Sequence, residues 1–222
     1  MTDPHDILRQ MLRKFETRAR LDEADRRALL GLPYQVQTVE PSGYIVREGE
    51  APTRSCLILS GFAYRHKLTF EGGRQIVSVH IAGDFVDLEG ALLNVADHNV
   101  QALGRCEVAL VPREAMRALI ASHAKVAMAM WVDTLIDASI FREWVVNVGR
   151  RDARARFAHV LCEFAVRLEA RGLASHGTFE LPRTQGQLAA PTALPPVHAN
   201  RVLNAPEADG LISRRRRHIH FD

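Results

Sequence analysis

The chain has 222 residues, of which 47% are hydrophobic and 25% charged, and its formal net charge is +3. This apolar content supports one large or two modest folded domains and excludes a largely disordered chain. The longest apolar run, Val126 to Val132, is far shorter than the roughly 20 residues that a membrane-spanning helix needs, so no membrane association is expected.

Cysteine usage and the first residues favour a cytoplasmic protein. Cys56, Cys106 and Cys162 lie far apart, and none forms a Cys-x-x-Cys pair. This spacing argues against a disulfide framework and against a zinc site, and it suits a reducing compartment. The N-terminal residues lack the basic stretch followed by an apolar stretch that marks a secretory signal.

The first half of the chain changes from helical to β-type patterning. Residues 6–31 carry apolar side chains at helical spacing, and short β-type runs separated by glycines follow from Tyr34. The predicted strands are Tyr44–Val46, Cys56–Leu59, Phe62–Phe70, Ile76–Ile81 and Val108–Val111. Glu71-Gly72-Gly73 predicts a hairpin turn, because glycine supplies the positive φ of tight turns. Many short strands at such spacing predict a barrel or a double-sheet roll.

Two helices are predicted after Pro112: a short one over Arg113–Ile120 and a long one over about 122–148. The long helix is apolar on two faces, so both faces are expected to be buried. One face would pack against the β domain of the same chain, and the other against a second copy of the chain. Burial of both faces inside a monomer also fits the pattern. The predicted interface residues are Met130, Leu135, Phe141, Val145 and Val148.

The C-terminal third carries the positive charge. Residues 149–152 are predicted to be a hinge, and a helix over Ala153–Arg171 should end at Gly172. Residues 149–222 contain 12 Arg, no Lys and 7 acidic residues, a net charge of +5. Residues 1–148 contain 17 basic and 19 acidic residues, a net charge of −2. This distribution suits a polyanionic partner, although a solvated basic face is the plainer alternative.

The segment near the C-terminus has the layout of a winged helix-turn-helix DNA reader. Thr184 and Gln187 fit a capping box, which predicts a helix start at Gln185 whose free amides could contact a DNA phosphate. Pro196 suits the first turn of a second helix. The exposed start of that helix would carry base contacts, with arginine reading guanine and asparagine reading adenine. The candidate base-reading residues are Val197, His198, Asn200 and Arg201.

A run of four arginines lies where the wing hairpin is expected to turn: Arg214, Arg215, Arg216 and Arg217. Four adjacent guanidinium groups cannot all find local partners, so phosphate contacts are preferred over a solvated face. The predicted DNA contacts are therefore this run together with Thr184, Gln185 and the four base-reading residues.

Several segments together resemble the Crp–Fnr superfamily of bacterial transcription regulators. They are Arg47–Glu50, Leu57–Gly61, Gly72–Ile76, Ala82–Phe85 and the helix-turn-helix segment Thr184–Ile212. The resemblance implies an α+β fold with a double-stranded β-roll of the cyclic-nucleotide-binding type over 1–121, a dimerisation helix over 122–148 and a winged helix-turn-helix over 149–222. It also implies a homodimer that senses a signal through the roll, binds promoter DNA and has RNA polymerase as a partner.

The sequence departs from the cyclic-AMP pattern of that superfamily. Members that bind cyclic AMP carry Gly-Glu-Leu, whose glutamate holds the ribose, and a later arginine that holds the cyclic phosphate. Here Asp87-Leu88-Glu89-Gly90 occupies the first position and Asp97-His98-Asn99 the second. An acid near the phosphate would repel it, so cyclic AMP is disfavoured, although one loop rearrangement would bring Glu89 to the ribose. The candidate effector-pocket residues are Asp84, Asp87, Glu89, Asp97 and His98.

The positions of the cysteines and histidines bear on iron–sulfur and haem cofactors. An iron–sulfur cluster is disfavoured because residues 1–30 contain no cysteine. Haem ligation through His66, His80 or His98 stays open, although a lone histidine on a strand is usually structural. The effector is therefore unidentified.

Two prolines and the histidine pattern define the remaining alternatives. Pro191 and Pro206 should end the reader's helices early, because an interior proline costs about 3 kcal/mol. A degenerate regulator that senses or dimerises with impaired DNA binding is therefore the alternative.

An enzyme is not expected. A cupin-like metal site needs clustered ligands on adjacent strands, whereas the only His-x-His, His218-Ile219-His220, lies outside the roll.

Overall fold

The computed structural model describes residues 4–174, 178–180, 207, 210, 212–215 and 218–221. The chain forms two compact units. The first comprises Met1–His66 and His80–Ile140, and the second comprises Lys67–Val79 and Phe141–Asp222. Within the described residues no single helix has the length and apolar composition to cross a membrane, and one pair bent by 115° satisfies those two criteria together.

Seven strands build two sheets of a roll, which confirms the predicted double-sheet architecture. One sheet has the order β1-β7-β3 and the other β2-β6-β4-β5. The strands are β1 (Gln35–Val39), β2 (Tyr44–Val46), β3 (Arg54–Ser60), β4 (Ala63–Leu68), β5 (Arg74–His80), β6 (Asn99–Ala102) and β7 (Cys106–Pro112). The pairing of β3 with β7 is antiparallel and places Cys56 opposite Leu110 and Ile58 opposite Val108.

The turn between β4 and β5 forms where the glycines predicted it. Gly72 has a φ of +80°, which glycine adopts without steric cost. The Thr69 amide donates to the Gly73 carbonyl at 2.7 Å, and the Gly73 amide donates back to the Thr69 hydroxyl at 2.9 Å. Local hydrogen bonds and a glycine at positive φ therefore close this hairpin.

Helices cover one side of the roll in the first unit. They are α1 (Pro4–Glu16), α2 (Glu23–Leu30) and α3 (Arg113–Ser122), and a 3-10 helix spans Leu88–Ala91. Their buried faces share one core with the roll, in which Phe15 stacks on Phe85 with ring centroids 6.2 Å apart. Removing each such aromatic side chain from water contributes roughly 1.5–3 kcal/mol. A second core, which includes Ile58, Val100 and Val108, fills the interior between strands.

The long helix α4 (Ala124–Arg150) contributes its first part to the first unit and its last part to the second. Its start is anchored in the core of the first unit by Val126, Ala129 and Met130. The predicted hinge over 149–152 is partly right: α4 continues through Gly149 and Arg150, and the break before the next helix is limited to Arg151 and Asp152. A helical glycine costs only about 1 kcal/mol, which the surrounding helix tolerates.

The second unit contains α5 (Ala153–Ala170) and three short strands, β8 (Thr178–Glu180), β9 (Ile212–Arg215) and β10 (His218–Phe221). Asp152 caps α5 by accepting from the Ala155 amide at 2.8 Å, and Gly172 follows the helix at a φ of +66° as predicted. The strands form an antiparallel sheet of order β8-β10-β9. Buried side chains of this unit include Phe157, Val160, Phe164, Phe179, Ile212 and Ile219.

Candidate functional site

A cavity of about 240 Å³ opens within the roll of the first unit. Strands β1, β2, β3 and β7 and the 3-10 helix supply its wall, which mixes apolar side chains with charged ones. Its polar and aromatic lining residues include Tyr44, Arg47, Glu50, Asp87, Glu89 and His98. An apolar pocket with a few convergent polar groups is the usual form of a small-ligand site.

The five sequence-predicted pocket residues divide between the cavity and its surroundings. Asp87, Glu89 and His98 line the cavity, whereas Asp84 and Asp97 do not. Asp84 is buried elsewhere in the unit, where the Lys14 ammonium lies 3.1 Å from its Oδ1. Asp97 has a side chain that is 80% exposed, and its carboxylate contacts His98.

Asp87 is a buried carboxyl at the start of the 3-10 helix. Its Oδ1 accepts the backbone N–H of Cys56 at 2.7 Å, which ties it to β3. Burial raises the pKa of Asp87 to about 7, and the nearby charge of Glu89 acts in the same direction. The Cys56 hydrogen bond and the charge of Arg65 oppose this shift. The carboxyl therefore changes charge near neutral pH inside the cavity.

His98 connects two carboxylates. Its Nδ1 lies 2.7 Å from Oδ1 of Asp97, and its Nε2 lies 3.6 Å from Oε1 of Glu89. The ring is buried, and within the described part of the chain Nε2 makes no hydrogen bond. Because an ionised carboxylate can only accept, Nδ1–H donates to Asp97, and Nε2 faces Glu89.

Arg65 is a residue of this region that the sequence did not reveal. Its Nη1 donates to Oδ2 of Asp137 on α4 at 2.7 Å, and its Nη2 donates to the carbonyl of Val86 at 2.9 Å. Glu89 Oε1 lies 3.5 Å from the same Nη2. Burial opposes the charged form, yet the carboxylates of Asp137 and Glu89 raise the pKa of Arg65. Thus one guanidinium contacts both the cavity wall and α4.

Arg47 and Tyr44 form a second contact that sequence reasoning missed. The guanidinium carbon of Arg47 lies 3.8 Å from the centre of the Tyr44 ring, a cation–π arrangement on the cavity wall. The Arg47–Glu50 segment was noticed only as a family motif, because sequence spacing does not show which aromatic ring an arginine covers.

The predicted dimerisation residues are found in different environments. Leu135, Phe141 and Val145 are 50%, 43% and 55% exposed, and Val148 is half-buried. Met130 is 5% exposed and packs in the core of the first unit, so it is unavailable for contact with a second copy. The apolar pattern did not distinguish it from its neighbours because both faces of the helix are apolar.

The predicted DNA-contacting residues fall mainly outside the described residues. These are Thr184, Gln185, Val197, His198, Asn200, Arg201, Arg216 and Arg217, and Pro191 and Pro206 lie there as well. Arg214 and Arg215 lie on β9, opposite Ile219 and His218 of β10. The backbone of this antiparallel pair is consistent with the predicted wing.

Family models match both parts of the chain. A cyclic nucleotide-binding domain matches residues 36–123, and a Crp-like helix-turn-helix domain matches residues 155–221. A cyclic-nucleotide-binding-type roll followed by a helix-turn-helix domain in the same chain defines a class of transcription regulators. The chain belongs to the Crp–Fnr superfamily of transcription regulators.

The individual relatives have low sequence identity to this chain, and their alignments span two thirds or more of it. The "Transcriptional activator protein FnrL" of Cereibacter sphaeroides is 25% identical over 205 residues, which cover 90% of this chain and 82% of that protein. A Rhizobium leguminosarum protein named "Probable transcriptional activator" is 24% identical over 151 residues, covering 68% of this chain and 62% of its own length. FixK2 from Bradyrhizobium japonicum has the same fold, with a TM-score of 0.75, 23% identity, and coverage of 86% of this chain and 93% of that one.

Proposed function

We propose that the chain acts in the cytoplasm as a homodimeric regulator whose roll binds an effector other than cyclic AMP and whose C-terminal unit binds promoter DNA and works with RNA polymerase. The observation that carries the proposal is the order of its parts. A roll with a cavity precedes a long helix with exposed apolar side chains, and a Crp-like helix-turn-helix match follows.

The DNA-binding part of the proposal rests on charge and on the family match. Residues 149–222 carry a net charge of +5, as a polyanion partner favours. The arginine run begins on β9, in a strand pair that suits a wing. We propose Arg201 for base discrimination and Arg214–Arg217 for phosphate contacts, together with Thr184, Gln185, Val197, His198 and Asn200 at the reader's two helix starts.

The effector part rests on the charged wall of the cavity, which carries Glu50, Asp87 and Glu89 together with Arg47 and Arg54. Asp97, the acid expected to repel a cyclic phosphate, does not line the cavity. The case against cyclic AMP therefore rests on the departure from the Gly-Glu-Leu motif, and the buried carboxyl groups favour a ligand that donates hydrogen bonds. Asp84 is better explained by its ion pair with Lys14 than by effector binding.

The dimer part rests on α4. Exposed apolar residues recur along this helix, and we propose that Leu135, Phe141, Val145 and Val148 contact the second copy. Met130 is omitted because it is already buried in its own unit.

The test is binding of the full chain to a duplex selected from a random library and to a scrambled duplex, across a salt series. Arg201→Ala should cost roughly 1–3 kcal/mol on the selected site and relax its preference. A variant with Arg215→Gln and Arg216→Gln should weaken binding to both duplexes and flatten the salt slope by about one unit per lost contact. Arg27→Gln, on the exposed face of α2, is the matched control. Absence of salt-sensitive binding by the wild type would overturn the proposal in favour of a degenerate regulator.

A further inference from the structure

We propose that the wall of the roll cavity carries a binding site for a divalent first-row transition-metal ion, with His98 Nε2 and Glu89 Oε1 as the protein ligands and Asp97 holding the His98 ring in place. One donor atom from each of these residues lies within 4.8 Å of those of the other two. Imidazole nitrogen and carboxylate oxygen are standard donors for ions such as Zn²⁺, Fe²⁺ and Mn²⁺.

The unused nitrogen of His98 is the observation that points to an ion. His98 is buried, and its Nε2 lacks a hydrogen-bond partner among the described residues. Leaving a buried polar atom unsatisfied costs about 1–3 kcal/mol, so such atoms usually have a partner in the working state. The cavity lies beside this nitrogen, because both His98 and Glu89 line it.

The distance from His98 to Glu89 fits two ligands of one ion. Nε2 and Oε1 are 3.6 Å apart, which is too long for a hydrogen bond. Two ligands that are each about 2.1 Å from a zinc-sized ion lie roughly 3.4 Å apart at the tetrahedral angle. Small side-chain adjustments would therefore place an ion between the two atoms.

Asp97 prepares His98 for this role. Its Oδ1 accepts Nδ1–H at 2.7 Å, which leaves the lone pair of the neutral ring on Nε2. Metal-binding histidines usually donate their second ring N–H to a carboxylate or carbonyl, which fixes the ring and raises its basicity. The Asp97 carboxylate also adds negative charge within 4.8 Å of donor atoms of the two ligand residues.

Arg65 does not prevent Glu89 from binding an ion. Its contact with Glu89 is 3.5 Å, whereas its contacts with Asp137 and the Val86 carbonyl are 2.7 and 2.9 Å. The guanidinium therefore keeps two good acceptors when Glu89 turns to the ion. Waters or a further ligand in the cavity would fill the remaining coordination positions.

The site is tested without DNA, using full-length, tag-free protein stripped with a chelator. Titration with Co²⁺, followed by absorption, and with Zn²⁺, followed by calorimetry, should give one ion per chain. His98→Gln and Glu89→Gln should each weaken binding at least tenfold, and Asp97→Asn by about 10–100-fold. Glu50→Gln, at another acid of the cavity wall, should bind as the wild type does. Circular dichroism confirms that each variant is folded.

One further readout decides the proposal. Mg²⁺ should not compete at equal concentration, because it prefers all-oxygen sites. Substoichiometric Co²⁺ uptake by the wild type, or equal affinity in the His98 and Glu89 variants, would overturn the metal site. A role of the ion in DNA binding would rest on the proposed function. The metal titration contains no DNA, so failure of the metal site and failure of the proposed function are distinguished.

Discussion

Arg65 and Asp137 form an ion pair of 2.7 Å that joins the cavity region to α4. The arginine lies on β4, and its other terminal nitrogen contacts the Val86 carbonyl and Glu89. A ligand that draws Glu89 toward the cavity would leave the guanidinium with Asp137 and Val86 as its acceptors. Because an effector can shift a conformational equilibrium only through differential contacts, this pair is a physical link by which occupancy could reach the helix.

Breaking this pair should cost more stability than breaking an exposed one. We expect Arg65→Gln to lower the free energy of unfolding by about 1–3 kcal/mol, because it removes a buried charged donor from the Val86 carbonyl and from the Asp137 carboxylate. Asp137→Asn should cost less, since Asp137 is partly exposed and Arg65 keeps its other contacts. Urea unfolding of both single variants and the double variant measures the coupling energy.

The exposed pair Arg26–Glu16 is the control for this cycle. Its atoms also approach to 2.7 Å, but water reaches both side chains. Solvent screening makes such surface pairs weak, so its coupling should be clearly smaller. Equal coupling in the two cycles would show that burial of Arg65 adds nothing.

Local chemistry explains which strands the sequence predicted. The β4–β5 hairpin was found because its glycines dictate a turn, and β3 and β7 because their buried faces are rich in Leu, Ile and Val. Strands β1 and β6 were missed. β1 is exposed at four of its five residues, so it has no apolar alternation to detect. β6 buries Gln101, whose side chain accepts from the Tyr64 hydroxyl at 2.8 Å and donates to the Ser42 carbonyl at 2.9 Å, and both partners are distant in sequence.

The candidate site was predictable only in part for the same reason. Glu89 and His98 were identified by their position in a family motif, and both line the cavity. Asp84 belongs to the Ala82–Phe85 segment of the resemblance. Its partner, Lys14, is 70 residues away in sequence, so no local pattern predicts that contact. Arg65 and Asp137 are 72 residues apart, so their pairing depends on the fold.

Lys14 should be a stability determinant of the first unit. Its ammonium lies 2.6 Å from Oδ2 of Asp133 and 3.1 Å from Oδ1 of Asp84, and all three side chains are buried. Lys14→Met should lower the free energy of unfolding by about 3 kcal/mol, because it removes the ammonium shared by two buried carboxylates, although Asp133 keeps Arg18 at 3.3 Å. Denaturant unfolding checks this. Lys125→Met, which removes an exposed lysine paired with Asp22 at 2.7 Å, should have a much smaller effect.

Asp87 should make the stability of the roll depend on pH in a predictable direction. Burial raises its pKa in the folded chain to about 7 from 3.8, so the folded state binds more protons between these values. The carboxyl therefore costs nothing well below pH 3.8, and its stability cost grows as the pH rises from 3.8 to about 7. Asp87→Asn keeps an acceptor for the Cys56 N–H and removes the charge. It should stabilise the protein more at pH 8 than at pH 5, with a difference of about 2–3 kcal/mol between the two pH values.

Chemical unfolding of wild type and Asp87→Asn at both pH values measures this difference. Other titrating groups are common to the two proteins, so their contributions cancel. Glu89 and Arg65 are the charged groups that act on Asp87, and both remain in the variant. A stability difference that stays constant between pH 5 and pH 8 would contradict the raised pKa.

The exposed apolar side chains of α4 should hold two copies together. Leu135 and Phe141 are exposed, so replacing both with glutamate should leave each chain folded while placing charges in the seam. We expect the dimer dissociation constant to rise at least 100-fold, which corresponds to about 2.7 kcal/mol. Sedimentation over a concentration series measures it, and circular dichroism verifies folding.

Val36→Glu, at an exposed apolar residue on β1, should stay dimeric. Met130→Glu should instead unfold the first unit, because Met130 lies in its core. If the Leu135 and Phe141 variant sediments as the wild type does, the second copy contacts another surface.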